Sequence, residues 1–340
     1  MALHGKLLME TVGSLALKGN PLGDPRLREV PVYLPASYTE GTERRYPVIY
    51  FLVGFTGYPK AMAQTHPFRE NVIERFDRLV AAGRAPEAIL VVPDGFTRYG
   101  GSQYLNSEGT GRYEDHLVGE LVGYIDGRYR TAASPAGRAV MGKSSGGYAA
   151  WVLAMRHPEA FGHCVSHSGD SLFEVSCVAD FPKCVNELEA YGGDFMAFLD
   201  AFRSAPDKAS LPHSLVNVTA MSSVYSPNPK GPWGFDLPFD VRTGQVVEKV
   251  FSRWLAHDPV RLAAKHAKAL RGLKTLYFDA GTKDEFYLHL GARALSRELK
   301  SLKVPHVHEE HGGGHMNIDG RYDEGFARLK AGFAAVVRGR

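Results

Sequence analysis

The chain has few cysteines, little net charge and no long hydrophobic run. It contains 3 cysteines in 340 residues, and 40 basic against 37 acidic side chains leave a formal charge of +3. So few cysteines exclude a disulfide-built scaffold and are typical of a reducing compartment. Free thiols are favoured, although pairing of Cys177 with Cys184 is left open. We expect a cytoplasmic protein, and composition leaves open whether it forms a homodimer.

The scattered basic charge gives no reason to expect a nucleic-acid partner, because such binding depends on clustered lysine and arginine. No run of five basic residues occurs, and the longest apolar run, residues 148–155, is far shorter than the roughly 18 residues that span a bilayer. The apolar N-terminal segment, residues 3–17, is interrupted by polar residues and lacks a small-residue cleavage site. We therefore expect neither a membrane partner nor a signal peptide.

What the sequence does have is the composition of a globular protein, with 44% apolar and 23% charged residues. Apolar runs predict strands at residues 29–34, 48–53, 88–92, 139–141, 163–166, 275–279 and 304–309. Helical periodicity predicts helices at residues 68–82, 113–129, 146–156, 286–302 and 322–337. Strands that alternate with helices of this length form parallel βαβ units. We therefore predict a doubly wound, mostly parallel α/β sheet in a single domain, residues 1–340.

One segment, residues 171–246, interrupts this alternation. It contains 7 of the 20 prolines, and only residues 185–202 within it have helical periodicity. A long insertion of this kind in a compact domain is typical of a lid or a substrate-binding loop, and a surface excursion at the sheet edge is the alternative. Trp233 and Phe235 would then supply apolar pocket walls, and Asp170, just before the segment, is expected to line the same pocket.

The most specific motif is Gly142-Lys143-Ser144-Ser145-Gly146, which lies between a predicted strand and a predicted helix. This G-x-S-x-G pattern in this context is typical of a nucleophile elbow, where a strained turn raises a serine above the sheet. Neighbours two positions either side crowd each other and must lack a Cβ. Centred on Ser144 both positions are glycine, whereas centred on Ser145 one would be Lys143. Ser144 is the predicted nucleophile, and a buried serine in a glycine-rich turn is the alternative.

A serine nucleophile needs a base that is itself oriented by a carboxylate, in the chain order Ser, Asp or Glu, His. The loop after the strand at 275–279 offers Asp284, which is favoured over Asp279 because it lies farther out on the loop. The loop after the last strand offers His315, which is favoured over His311 because three glycines precede it. His306 and His308 could share one strand face and chelate zinc, but no further ligands complete a site, so no metal and no cofactor are expected.

Two backbone N–H groups should stabilise the oxyanion that forms during acyl transfer. One is that of Ser145, directly after the nucleophile. The other is that of Phe55, in the glycine-flanked turn Gly54-Phe55-Thr56-Gly57 after an early strand. A plain tight turn is the alternative for that segment.

Together the Gly54–Gly57 turn, the elbow, Gly281–Asp284 and Gly314-His315 resemble the putative-esterase group of α/β hydrolases. That group includes esterase D and S-formylglutathione hydrolases, enterochelin esterases, feruloyl esterases and mycolyltransferases. The resemblance covers residues 30–335 and implies the α/β-hydrolase fold, a Ser144–His315–Asp284 triad and oxyanion donors at Phe55 and Ser145. Gly57 stands where S-formylglutathione hydrolases tend to carry cysteine, so a glutathione thioester is not implied.

These observations predict a serine carboxylester hydrolase that acts on a small to medium ester through an acyl-enzyme. An acyltransferase or thioesterase with the same triad is the alternative, because the sequence does not say whether water or another acceptor removes the acyl group. A binding protein that has lost catalysis would predict a broken triad, and all three positions are filled.

Overall fold

The computed structural model describes residues 3–40, 42–334 and 336. Its strands are β1 (Lys6–Gly13), β2 (Leu27–Leu34), β3 (Val48–Leu52), β4 (Ile89–Val91), β5 (Asn106–Ser107), β6 (Gly111–Arg112), β7 (Arg138–Lys143), β8 (His163–His167), β9 (Thr275–Gly281) and β10 (Val307–His311). Its α-helices are α1 (Val72–Ala81), α2 (Tyr113–Asp115), α3 (Val122–Arg128), α4 (Ser145–Arg156), α5 (Phe173–Ser176), α6 (Phe181–Leu188), α7 (Phe195–Ser204), α8 (His213–Tyr225), α9 (Glu248–Leu255), α10 (Pro259–Lys265), α11 (Ala267–Gly272), α12 (Leu288–Ser301) and α13 (Tyr322–Gly332).

Eight strands form one sheet in the order β1-β2-β4-β3-β7-β8-β9-β10, and β5 and β6 form a separate small ribbon. From β4 to β10 every neighbouring pair is parallel, whereas β1 and β2 join antiparallel at one edge. The strand order reverses at β3, which lies between β4 and β7. In open α/β sheets such a reversal opens a crevice at the carboxyl ends of the strands, where ligands bind.

Helices cover both faces of the sheet. Phe278 of β9 packs edge-on against Trp151 of α4, with ring centroids 5.5 Å apart, while its neighbour Tyr277 accepts a hydrogen bond from Arg321, directly before α13. Because successive strand residues point to opposite faces, α4 and α13 lie on opposite sides. Burial on both faces explains why all five residues of β3 are apolar and buried.

The parallel sheet is predicted well, but its antiparallel edge is not. All seven predicted strands are present, with shifted ends, and the eighth strand of the sheet, β1, was not predicted. Its exposed and half-buried residues alternate irregularly, so it lacks the apolar pattern that marks the inner strands. At the other end, α13 spans Tyr322–Gly332, and residues 335 and 337 of the helix predicted at 322–337 lie outside the described residues.

Residues 171–246 contain more helix than predicted. The single helix expected at 185–202 is two helices, α6 and α7, separated by Gly192 and Gly193, both at positive φ. Helices α5 and α8 were not predicted at all. In α8 nearly every residue from Ser214 to Tyr225 is buried, so the helix has no polar face and no helical periodicity.

All three cysteines are free thiols, including Cys177 and Cys184. Among the described residues, no helix combines the length and the hydropathy needed to cross a bilayer.

Candidate active site

Ser144 lies on a strained turn between β7 and α4. Its φ is 57° and its ψ is −127°, a conformation that a residue with a side chain adopts only under strain. Its N–H donates to the carbonyl of His167 at 2.9 Å, which fixes the turn against β8. The turn lies at the carboxyl end of β7, beside the point where the strand order reverses.

The two glycines that flank this turn have no room for a side chain. A Cβ on Gly142 would lie 2.4 Å from the carbonyl oxygen of Gly146, and one on Gly146 would lie 2.0 Å from that of Leu52. Both contacts are with backbone, so no side-chain movement could relieve them. The crowding agrees with the steric reason for choosing Ser144 over Ser145.

His315 connects Ser144 to Asp284. Its Nε2 lies 3.0 Å from the Ser144 Oγ, and its Nδ1 lies 2.9 Å from the Asp284 Oδ2. A neutral imidazole that donates its Nδ1–H to the carboxylate leaves Nε2 free to accept the serine proton. The structure thus brings together the three residues that the sequence predicts as nucleophile, base and acid.

The surroundings keep Asp284 ionised although it is buried. Burial by itself raises its pKa, but the hydrogen bond and charge of His315, together with backbone N–H donors from Phe286 and Leu288, lower the pKa below its usual value. A carboxylate held ionised beside Nδ1 fixes the imidazole tautomer and stabilises the imidazolium.

The alternative acid, Asp279, is engaged elsewhere. Its carboxylate lies 2.9 Å from His167 Nδ1, accepts from the Arg321 Nε at 2.9 Å and accepts from the Tyr277 hydroxyl at 2.8 Å. Burial raises its pKa, but these partners outweigh it and hold the pKa at about 2. Asp279 therefore belongs to a buried ion-pair cluster and not to the Ser144–His315 pair.

The other histidines of this region make structural contacts. The Nδ1 of His311 accepts the Gly313 N–H at 3.2 Å. His306 and His308 stack on the ring of Phe278, with centroids 5.6 Å and 5.0 Å away. Within the described ranges, no three His, Cys, Asp or Glu side chains are grouped so that they could hold a metal ion.

The turn after β3 passes directly beside the nucleophile. A Cβ on Gly54 would lie 3.3 Å from the Ser144 Cβ, and the Gly57 N–H donates to the Gly54 carbonyl at 2.9 Å. Phe55 is the second residue of this β-turn, where the N–H is not part of the turn hydrogen bond. Ser145 is the first residue of α4, where the N–H has no intrahelical acceptor and the helix dipole favours negative charge. Both residues line the cavity above Ser144.

This cavity, which we call the triad cavity, has a volume of about 1110 Å³ including its open mouth. Asp170 lines it as predicted, together with His213, Asn217 and Met221 of α8. Trp233 and Phe235 do not belong to its lining. They pack against Phe195 of α7, with ring centroids 5.0 Å and 6.1 Å away, so the wall expected from these two residues is formed by α8.

Sequence reasoning missed two residues that hold the predicted base. The Glu285 carboxylate accepts the backbone N–H of His315 at 2.7 Å, and Phe286 packs edge-on against the imidazole with centroids 4.9 Å apart. Both directly follow Asp284 in the sequence. The sequence feature that could have indicated them is the run of two acidic residues and one aromatic residue on the loop after β9.

Lys143 also lines the triad cavity. Burial lowers the pKa of its ammonium group, and the nearby carboxylates of Asp319, Asp284 and Glu285 act in the opposite direction.

A family model described as "Putative esterase" matches residues 25–317. The chain belongs to this family. Among curated proteins, an endo-1,4-beta-xylanase/feruloyl esterase of Xylanibacter ruminicola is 29% identical over 175 residues, which are 50% of this chain and 23% of that protein. The chain thus spans less than a quarter of that relative's length.

Solved structures share the fold over nearly the whole chain. A ferulic acid esterase superposes with a TM-score of 0.61 at 21% identity, over 96% of this chain and 98% of that one. An S-formylglutathione hydrolase from Agrobacterium tumefaciens gives 0.58 at 16% identity, with 98% of each chain covered. The fluorophosphonate-binding serine hydrolase FphF of Staphylococcus aureus gives 0.59 at 14% identity, over 97% of this chain and 98% of that one. At these identities the likeness shows the fold alone, which is the predicted α/β-hydrolase fold.

Proposed function

We propose that the protein is a serine carboxylester hydrolase that works through an acyl-enzyme on Ser144. The observation that carries the proposal is the continuous chain of contacts from the Ser144 Oγ through His315 to Asp284, with distances of 3.0 Å and 2.9 Å. Membership of an esterase family and the name of the curated feruloyl-esterase relative support the same reaction class.

In this mechanism His315 Nε2 removes the proton of Ser144 as its Oγ attacks the ester carbonyl. The N–H groups of Phe55 and Ser145 stabilise the oxyanion, each contributing about 3 kcal/mol to the barrier reduction. The alcohol leaves with the proton from His315, and a water activated by the same imidazole then hydrolyses the acyl-enzyme. Asp284 keeps the imidazole in the required tautomer throughout.

The segment 171–246 contributes to substrate binding in this proposal, because α8 forms one wall of the triad cavity. Its role as a lid stays a prediction, as do the location in the cytoplasm and the use of water as the acyl acceptor.

The proposal is tested by replacing the nucleophile. We expect Ser144→Ala to lose at least about 10³-fold in kcat on p-nitrophenyl acetate, because no other hydroxyl of the described residues hydrogen-bonds to His315 Nε2, while the circular-dichroism spectrum stays unchanged. A fluorophosphonate probe should label the wild type at Ser144, shown by peptide mapping, and should not label the variant. Ser145→Ala is the matched control, since it removes the neighbouring hydroxyl but keeps the backbone N–H. Retention of more than a few per cent of activity by Ser144→Ala would refute the assignment.

A further inference from the structure

A second cavity adjoins the triad cavity on the side of α5 and α8. We call it the side cavity, and it has a volume of about 450 Å³ including its mouth. Asp170, Asn217, Met221 and Phe286 line both cavities, so the two are adjacent and meet at these four side chains. A group attached to an ester bound at Ser144 would reach the side cavity by passing between these four side chains.

The inner wall of the side cavity is aromatic. Phe173, Tyr225 and Trp254 line it, and each of these residues is almost fully buried. The ring of Tyr225 lies 5.6 Å from that of Phe173 and 5.4 Å from that of Trp254, centroid to centroid. Because the Trp254 N–H donates to the Ser226 Oγ at 2.9 Å, the indole is held in place. Such ring faces attract cations and the methylene groups next to them.

The mouth of the side cavity has hydrogen-bond acceptors without donors. Asp170 Oδ2 and Asn217 Oδ1 are buried and have no hydrogen-bond partner among the described residues. A buried acceptor without a donor costs free energy that a bound donor recovers. Ser145 hydrogen-bonds to the Asp170 side chain but leaves Oδ2 unpaired.

The charge of the lining is negative. Asp170 and Asp180 are its charged residues, and the part of the chain that the structure describes contributes no lysine, arginine or histidine to this lining. Asp180 is paired with Lys183, whose Nζ lies 2.8 Å from Oδ1, whereas Asp170 forms no ion pair with a described residue. The lining as a whole is thus complementary to a group that carries positive charge and donates hydrogen bonds.

We propose that the side cavity binds a primary ammonium group carried by the acyl or the alcohol part of the ester substrate. This proposal rests on the proposed esterase function. Asp170 Oδ2 and Asn217 Oδ1 accept the ammonium N–H bonds, and the aromatic wall contacts the methylene groups that carry them. The protein therefore prefers amino-acyl or amino-alcohol esters over neutral esters of the same shape.

The test compares esters in which an ammonium group replaces a terminal methyl group. One pair is p-nitrophenyl 6-aminohexanoate and p-nitrophenyl heptanoate, and the other is 4-aminobutyl acetate and pentyl acetate. We expect the cationic member of at least one pair to have a kcat/KM about tenfold higher in the wild type, in line with a hydrogen-bonded charge pair. In Asp170→Asn this preference should disappear.

The quantity compared is the ratio of kcat/KM between the two members of a pair. Asp170 lies close enough to His315 for their charges to interact, so we expect Asp170→Asn to change the turnover of every ester. Asp319→Asn is the matched control, since it removes an exposed carboxylate that lines only the triad cavity. The control should keep the preference of the wild type. If neither pair shows a preference, or if Asp170→Asn keeps it, the proposal is wrong.

A binding measurement separates this proposal from the esterase proposal. Calorimetry with n-butylammonium on Ser144→Ala should detect binding that 1-butanol does not show and that Asp170→Asn in the same background abolishes. Binding of n-butylammonium by a protein whose wild type hydrolyses no ester would refute only the proposed esterase function. Hydrolysis of p-nitrophenyl acetate without binding of n-butylammonium would refute only the proposed ammonium site.

Discussion

At the scale of single residues, Asp279 and Asp284 follow one another on β9 and its loop but face different partners. Asp284 contacts the imidazole that reaches Ser144, whereas Asp279 contacts His167, Arg321 and Tyr277. The two carboxylates are thus suited to different tasks, one in catalysis and the other in the stability of the fold.

Replacing each by asparagine should separate these tasks. We expect Asp284→Asn to lower kcat for p-nitrophenyl acetate by about 10³–10⁴-fold with little loss of stability, because the amide favours the wrong imidazole tautomer. We expect Asp279→Asn to lower the free energy of unfolding by about 1–3 kcal/mol, because it weakens charged hydrogen bonds to a buried carboxylate, although Arg321 keeps Glu309 as a partner at 2.7 Å.

Urea unfolding and steady-state kinetics measure the two effects. At a temperature where both variants are folded, Asp279→Asn should remain within about tenfold of the wild-type kcat. The opposite pattern, with Asp279→Asn inactive and Asp284→Asn active, would make Asp279 the catalytic acid.

The sequence alone could predict the three side chains that contact one another, Ser144, His315 and Asp284, because each lies in a distinct local pattern. Ser144 lies in a glycine-flanked turn, and Asp284 and His315 lie past the ends of late strands. Glu285 was not predicted, because a second exposed acid on a loop has no local pattern that tells a hydrogen bond to a backbone N–H from contact with solvent. Trp233 was assigned to the pocket on its apolar character alone, and tertiary packing placed it against Phe195 instead.

At the scale of secondary-structure elements, the β7–α4 turn depends on the absence of two Cβ atoms. Gly146→Ala should lower the free energy of unfolding by about 3 kcal/mol, because its Cβ would lie 2.0 Å from the Leu52 carbonyl oxygen and overpack the backbone. It should also reduce esterase activity, since relief of the contact moves Ser144.

Gly127→Ala provides the control for this change. Gly127 lies exposed in α3, and a Cβ there has open space within 4 Å. This variant should be as stable as the wild type or more stable by up to about 1 kcal/mol, because alanine favours the helix. Equal urea midpoints for the two alanine variants would contradict the steric argument for the turn.

Most elements that the sequence predicts have a recognisable pattern of burial, although α4 is predicted and yet is buried on all sides. The inner strands are continuous apolar runs, and α12 has one buried side, so their patterns indicate their structure. Helix α8 is buried all round and β1 is an exposed edge strand, and neither environment produces a period. The structure of these two elements is determined by the residues that pack against them, which a local sequence pattern does not reveal.

At the scale of the whole molecule, buried histidines link stability to pH. His163 is fully buried, its Nε2 lies 2.9 Å from the Ala136 carbonyl oxygen, and its Nδ1 lies 2.9 Å from the Thr275 hydroxyl. Burial lowers the pKa of His163 from 6.5 to about 4. The unfolded chain therefore binds a proton between pH 6.5 and 4 that the folded protein does not bind, and stability falls as the pH decreases through this range.

His163→Gln should weaken this dependence. The amide can still donate to the Ala136 carbonyl oxygen but does not titrate, so the free energy of unfolding should fall by about 3 kcal/mol less than in the wild type between pH 7 and 4. Urea unfolding at a series of pH values measures the difference, and the subtraction cancels the contributions of other titrating groups. Parallel curves for the two proteins would show that burial does not lower the pKa of His163 in the folded protein.

The loops that carry Asp284 and His315 are bound to each other by backbone hydrogen bonds. The Thr282 N–H donates to His311 at 2.8 Å, the Lys283 N–H donates to Gly313 at 3.0 Å, and Glu285 accepts the His315 N–H. Ser144 is carried instead by the β7–α4 turn and meets the imidazole through its Oγ. The proposed acid and base thus lie on two loops that are hydrogen-bonded to each other without any bound ester. The backbone hydrogen bonds that join the two loops do not include Ser144, so in the proposed reaction only the contact between the Ser144 Oγ and the imidazole joins the nucleophile to these loops.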